Sequence, residues 1–225
     1  MAVAELTYRD ALRAALVEEM DRNPDVFLIG EDIGKYKGTF RVTDGLFEKY
    51  AAEPGDWLVE PFGRVPDDGI GRRVIDTPIT EPAIVGFATG AAMTGLRPVV
   101  EMMTMSFSIL AIDQIINHAA KVHYMTGGQF TVPLVIRGPG GAAHQLSAQH
   151  SHSLEGWYAH VPGLRWSRPL FLRMRKGSSS RRFGTTTPSS SRRTLGCTES
   201  RARSATIQTR RSRSERRTSC EKART

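Results

Sequence analysis

VIDTPITEPAIVGFATGAAMTGLRPVVE, Val74 to Glu101, is the stretch on which the fold of this chain turns. Four apolar-biased residues end in a Thr-Pro turn, and an apolar run of helical length follows. Thr80 is placed to cap that helix and Pro82 suits its first turn, where no N–H is needed. Gly86, Gly90 and Gly95 leave one helix face nearly bare, which permits close packing on a neighbour. RPVVEMMTM then reads as a second strand, so the unit is strand, helix, strand. The same alternation extends outward in both directions. Thr7 to Met20 puts Ala11, Leu12, Ala15, Leu16 and Met20 at helical spacing. VFLIG is a short strand of buried type, and LFEKYA a short helix. Downstream, SFSILAIDQIINHAAKVHYM predicts one long helix stopped by Gly127 and Gly128. VPLVIRGPGG predicts a strand, SLEGWYAHVPG a short helix and LRW the start of another strand. This pattern predicts an α/β fold with a mainly parallel sheet. In such sheets ligands bind beyond the carboxyl ends of the strands, which here carry Glu31, Glu81, Glu101 to Phe107 and the loop 138–153.

Charge divides the chain at Leu164. Residues 1–164 hold 13 Lys and Arg against 20 Asp and Glu, a net charge of −7. The last 61 residues hold 18 against 3, a net charge of +15, together with 21 Ser and Thr. All six histidines precede this seam and both cysteines, Cys197 and Cys220, follow it. The acidic part therefore offers no disulfide framework and fits a reducing cytoplasm. No apolar run reaches the roughly 18 residues that a membrane span needs. The N-terminal stretch has the pattern of an acidic amphipathic helix, not that of a signal or transit peptide.

Glu81 stands at a helix start in an apolar segment. The local pattern fits a carboxylate favoured by the helix dipole. It fits equally a partly buried carboxylate that holds or protonates a heterocycle nitrogen. HQLSAQHSHS offers His144, His150 and His152, but no cysteine or helical His-x3-His pair accompanies them, so zinc is not expected. One histidine serving as acid, base or anion binder beside a glycine loop is the better reading, against exposed loop histidines of no special role. Gly138 to Gly141, GPGG, lacks the lysine and Ser/Thr of a Walker loop, and no G-x-G-x-x-G is present. Met102, Met103, Met105 and Phe107 read as core, with alternate residues free to line a pocket wall.

GEDIGKYKGTFRVTDGL, VIDTPITEPAIVGFATGAAMTGLRPVVE, AIDQIINHAAKVHYMTGG, VPLVIRGPGG and AQHSHSLEGWYAHVPGL together resemble the beta subunit of thiamine-diphosphate-dependent 2-oxoacid dehydrogenases, the pyruvate type above all. The resemblance covers nearly all of residues 5–165. It implies a transketolase-like pyrimidine-binding domain over residues 1–164. It also implies a heterotetramer of two alpha and two beta subunits with thiamine diphosphate between them. By the same resemblance the alpha subunit holds magnesium and the diphosphate, and beta holds the aminopyrimidine. Glu81 falls on the catalytic glutamate that hydrogen-bonds the pyrimidine. His150 falls on a histidine serving substrate binding and acyl transfer to the lipoyl arm of the acyltransferase core. Met103 and Phe107 match positions that pack on the pyrimidine, Ile79 lies beside Glu81, and Leu134 matches a backbone ligand of a structural potassium. Two features depart from the family. The loop from about Glu53 to Arg72 is long, and Leu110 stands where some pyruvate enzymes carry a polar residue.

Beyond Leu164 the resemblance stops. The family continues with a KVVAP-like strand and, further on, a whole C-terminal domain, neither of which follows here. In HVPGLRWSRPLFLRMRKGSSSRR, His160 to Arg182, the third base of each codon read with the first two of the next permits VVAP across Arg165 to Pro169. Continued from Lys176, the same frame permits GLLVAAIRDDDPVVVEENLGLYGVKGEV, the family's expected continuation. The seam is therefore read as a frameshift, and residues 165–225 as an out-of-frame, disordered Arg/Ser/Thr tail too poor in apolar residues to order itself. A chain so truncated is expected to be inactive or poorly folded. Two alternatives remain at this level: an acetoin or branched-chain 2-oxoacid dehydrogenase beta subunit, and a non-catalytic binding protein whose basic tail meets nucleic acid.

Overall fold

The computed structural model describes residues 7–50, 73–142, 145–167 and the strand 203–209. The long loop from Glu53 to Arg72 lies almost wholly outside the described residues. His144, Cys197 and Cys220 lie outside them too, as does most of the tail.

Helix α1 (Tyr8–Arg22) starts where the Thr7 hydroxyl accepts from the Asp10 N–H at 3.1 Å. It buries Ala11, Leu12, Leu16 and Met20, four of the five apolar positions read from the sequence. Strand β1 (Val26–Glu31) is buried over all six residues, as a central parallel strand must be. After a loop and helix α2 (Leu46–Tyr50) come β2 (Val74–Thr77), α3 (Glu81–Met93) and β3 (Arg97–Glu101). Helix α4 (Val122–Met125), β4 (Val135–Gly140), α5 (Glu155–Ala159) and β5 (Leu164–Ser167) follow.

β1 lies between β2 and β3, β4 pairs with β3, and all four of these strands are parallel. Apolar residues divide by alternation along β1. Phe27 and Ile29 join a core with α3, residues 111–120 and α5, whereas Val26 and Leu28 join a second core with α1 and α2. The result is a sheet with helices on both faces, and its parallel strands agree with the α/β reading of the sequence.

Two expectations change. The stretch 106–125 is not one long helix. It runs as a 3-10 turn (Met105–Ile109), a π-helical turn (Gln114–Ala119) and α4, and ends at Gly127 and Gly128 with φ of 59° and 87°. Hydroxyls compete with the helical ladder here: Thr104 caps Ser106, and Ser108 donates to the Met105 carbonyl at 2.6 Å. The second change concerns the tail, for which coil is expected throughout. Residues Arg203–Thr209 form β6, which pairs antiparallel with both β4 and β5 and so separates them. The edge of β4 offers an open ladder, and Thr206, Ile207 and Thr209 are residue types that suit a strand.

Candidate active site

The parallel sheet sends the ends of β1, β2, β3 and β4 to one edge, and Glu81, Ile79, Met103, Phe107 and His150 lie there, whereas Leu134 does not. β3 ends at Glu101 instead of running on through Met105. The chain turns immediately, which separates the methionines. Met102 and Met105 enter the core, whereas Met103 and Phe107 stay half-buried and line a cavity of about 90 Å³. His150 reaches the same cavity from a short turn, Ala148–His150, and its ring stands edge-on to Phe107 with centroids 5.1 Å apart. Gly138 lets β4 approach the turn after β3, because a Cβ there would meet the Met102 carbonyl oxygen at 2.8 Å.

Glu81 and Ile79 do not line that cavity. They belong to the β2–α3 turn, at the same sheet edge. Glu81 is 5% exposed, while Ile79 points outward at 81%. The Thr80 hydroxyl does not cap α3 as the sequence reading expects. The Thr80 backbone N–H lies near the Glu31 carboxylate at the end of β1 and favours its charged form. Glu31 Oε1 is buried without a partner among the described residues. Burial pushes the Glu31 carboxyl above its ordinary range, the nearby Glu81 charge pushes the same way, and the Thr80 N–H opposes both. The structure therefore brings a second buried carboxylate, Glu31, within electrostatic reach of Glu81.

This pair has a pH signature. A raised native pKa means that Glu31 contributes its stability below the unfolded-state value and loses it as pH rises through the folded-state value. Glu31→Gln is expected to raise the urea midpoint at about pH 7.5 and to leave it nearly unchanged at about pH 4. A gain confined to the acid side would contradict the shift.

Glu101, 8% exposed, forms a buried ion pair with Arg137 on β4. Burial pushes the Arg137 guanidinium down to about 10, still cationic at neutral pH. Leu134, 2% exposed, precedes β4 and so lies at the opposite edge of the sheet, remote from His150. Leu110 is exposed, at 61%. His152 donates its backbone N–H to Ser106 Oγ at 3.3 Å, and its Nδ1 is buried without a partner among the described residues. No group of three potential metal ligands occurs among the described residues. Thr39 and Phe40, from the loop after β1, complete the His150 cavity. Sequence reasoning missed both because only the fold carries residues 39 and 107 to one place.

The profile described as the transketolase pyrimidine-binding domain fits residues 4–204, most of the chain and past the seam. The chain belongs to the transketolase pyrimidine-binding domain family. Among curated relatives, the pyruvate dehydrogenase E1 component subunit beta of Rhizobium meliloti is 47% identical over 175 residues, covering 78% of this chain and 34% of the relative. The mitochondrial subunit beta-2 of Oryza sativa is 51% identical over 164 residues, 73% of this chain and 39% of the relative. The corresponding Rickettsia conorii subunit is 45% identical over 173 residues, 77% of this chain and 47% of the relative. The chain thus spans less than half the length of these relatives. The resemblance to pyruvate-type beta subunits read from the motifs is borne out. So is the pyrimidine-binding-domain fold. Among the described residues no helix is long and apolar enough to cross a membrane.

Proposed function

We propose that this chain is the pyrimidine-binding part of a pyruvate dehydrogenase beta subunit, using thiamine diphosphate shared with an alpha subunit. The observation that carries the reading is the buried Glu81 at the start of α3, beside Glu31 with its unpartnered buried oxygen. An aminopyrimidine needs one carboxyl group at a ring nitrogen and an acceptor for its amine, and these two residues fit that demand. Relatives named as pyruvate dehydrogenase subunits favour pyruvate over acetoin or branched-chain 2-oxoacids as substrate.

Thiamine diphosphate, when bound, supplies the electron sink for loss of carbon dioxide from the 2-oxoacid. Glu81 holds and moves the proton at the pyrimidine ring nitrogen. A buried carboxylate does this better than an exposed one, because little water competes for its hydrogen bond. Met103 and Phe107 give the ring an apolar wall. His150, exposed and steadied edge-on by Phe107, binds the 2-oxoacid and serves acyl transfer to the lipoyl group of an acyltransferase core. Ile79 flanks Glu81 on the outer side. The alpha subunit holds magnesium and the diphosphate in a complex of two alpha and two beta subunits, and the Leu134 carbonyl contributes to a structural potassium site. The cytoplasm is the compartment proposed. The Oryza sativa relative is named as a mitochondrial protein.

Residues 165–225 belong, on this reading, to an out-of-frame translation with no selected function. The reversal of charge at Leu164 and the family-like text in the alternative frame support it. Resequencing the DNA across codons 155–180 is the first test, and an uninterrupted family frame there is the expected result. The frame-restored subunit mixed with its alpha subunit is expected to release carbon dioxide from pyruvate only when thiamine diphosphate is added. The 225-residue chain in the same mixture is expected to release none. Activity of the shifted chain, or inactivity of the restored one, would overturn the assignment.

A further inference from the structure

The loop between β1 and α2 is bent into a cup. Asp32, Lys37 and Arg41 take left-handed backbone at φ of 54°, 69° and 52°, and Gly38 joins them at 73°. Such backbone persists in non-glycine residues only when the surroundings impose it. Here they do. Asp76, at the end of β2, accepts from the N–H groups of Ile33 and Gly34, both at 3.1 Å. Thr43 Oγ1 donates to the Ile33 carbonyl at 2.9 Å, and the Gly38 N–H donates to the Asp32 carbonyl at 2.8 Å. Gly34 cannot be enlarged without striking Asp76 Oδ2, which a Cβ would meet at 2.7 Å.

The cup encloses a recess of about 340 Å³, lined by Lys35, Tyr36, Lys37, Gly38, Thr39 and Arg41. That volume is within the ~300–1,000 Å³ typical of small-molecule sites. Three of the six lining residues are cations and none is a carboxylate. Asp44 approaches Lys37 Nζ at 2.9 Å and raises its pKa, which keeps the ammonium charged. Tyr36, 65% exposed, offers an aromatic face at the rim. None of these residues belongs to the Glu81–Glu31 pair. Thr39 alone is shared with the His150 cavity.

We propose that this recess is an anion site for a phosphate-bearing small molecule. Three cations around a concave wall, Lys37 among them sharing its charge with Asp44, answer the charge of a phosphate group. The inference does not depend on the proposed activity, since it uses neither Glu81 nor His150. It goes beyond that reading, which assigns the cofactor's diphosphate to the alpha subunit.

The test is titration calorimetry on the full 225-residue chain, with inorganic pyrophosphate in one arm and ADP in the other, at low and high salt. Saturable binding in either arm, weakened by salt, is the expected result. Tighter binding of ADP identifies a nucleotide as the source of the phosphate, and equal or tighter binding of pyrophosphate identifies the inorganic anion. Arg41→Ala and Lys35→Ala are each expected to weaken binding about tenfold, with unchanged far-UV circular dichroism. Lys49→Ala, a lysine outside the recess and paired with Asp21, is expected to change nothing. Glu81→Gln is also expected to bind normally, which separates this site from the proposed catalytic one. Absence of binding at millimolar ligand overturns the proposal, as does equal loss in the Lys49 variant.

Discussion

Glu81→Gln in the frame-restored subunit, assayed with its alpha subunit, is expected to lower kcat for pyruvate about 10²- to 10⁴-fold, the range associated with a positioned proton-transfer group. The substitution preserves size and one hydrogen-bonding oxygen, so it removes little except the ability to hold a proton. Glu81 is 5% exposed and lies in the first turn of α3, where an amide satisfies the same packing as a carboxyl group. On the proposed reading the 2-oxoacid meets His150 and not Glu81, so KM for pyruvate is expected to change far less than kcat. Glu48→Gln, on the exposed side of α2, is the control and is expected to be neutral. An Glu81→Gln enzyme with kcat within threefold of the parent would remove Glu81 from the proton path. It would leave the fold assignment standing.

The second large effect concerns stability. Arg137→Leu leaves the Glu101 carboxylate buried without its cation, a loss of about 3–5 kcal/mol for a broken internal ion pair. Both side chains are buried, at 4% and 9% exposure, so solvent does little to screen the remaining charge. The pair joins the ends of two adjacent parallel strands, because Glu101 on β3 is registered against Arg137 on β4. Replacing both, as Glu101→Leu with Arg137→Leu, is expected to recover most of the loss, since no charge is then stranded. Urea unfolding of the parent, the two single variants and the double variant measures this coupling directly. A double variant no more stable than the worse single one would show that the pair is not the source of the effect.

Legibility in the sequence followed the range of the interactions involved. β1 was readable because a central parallel strand needs a continuous apolar run, and Val26 to Ile29 supply one. α1 was readable because its core contacts repeat at helical spacing. The long helix predicted over 106–125 failed because Ser106, Ser108 and the surrounding apolar residues carry a helical pattern, while the hydroxyls bond locally to backbone and break the ladder. The Thr80 cap failed for a different reason: Thr80 takes φ −165° and ψ 71° in the turn from β2, and its side chain makes no bond to the helix. The strand formed by Arg203–Thr209 was hidden because it is short and set in a polar, basic stretch, and only the edge of β4 gives it a ladder.

What the sequence alone determined was the α/β alternation and the family. These follow from local periodicity and from motifs that occupy contiguous positions. What only the tertiary structure decided was company. It placed Glu31 against Glu81 and set Phe107 edge-on to His150. It brought Thr39 to the wall of the His150 cavity and sent Leu134 to the far edge of the sheet. Proton affinity and binding depend on what lies within a few ångströms of a group. In a parallel sheet those neighbours arrive from separate crossover units, at distances along the chain that no local pattern records.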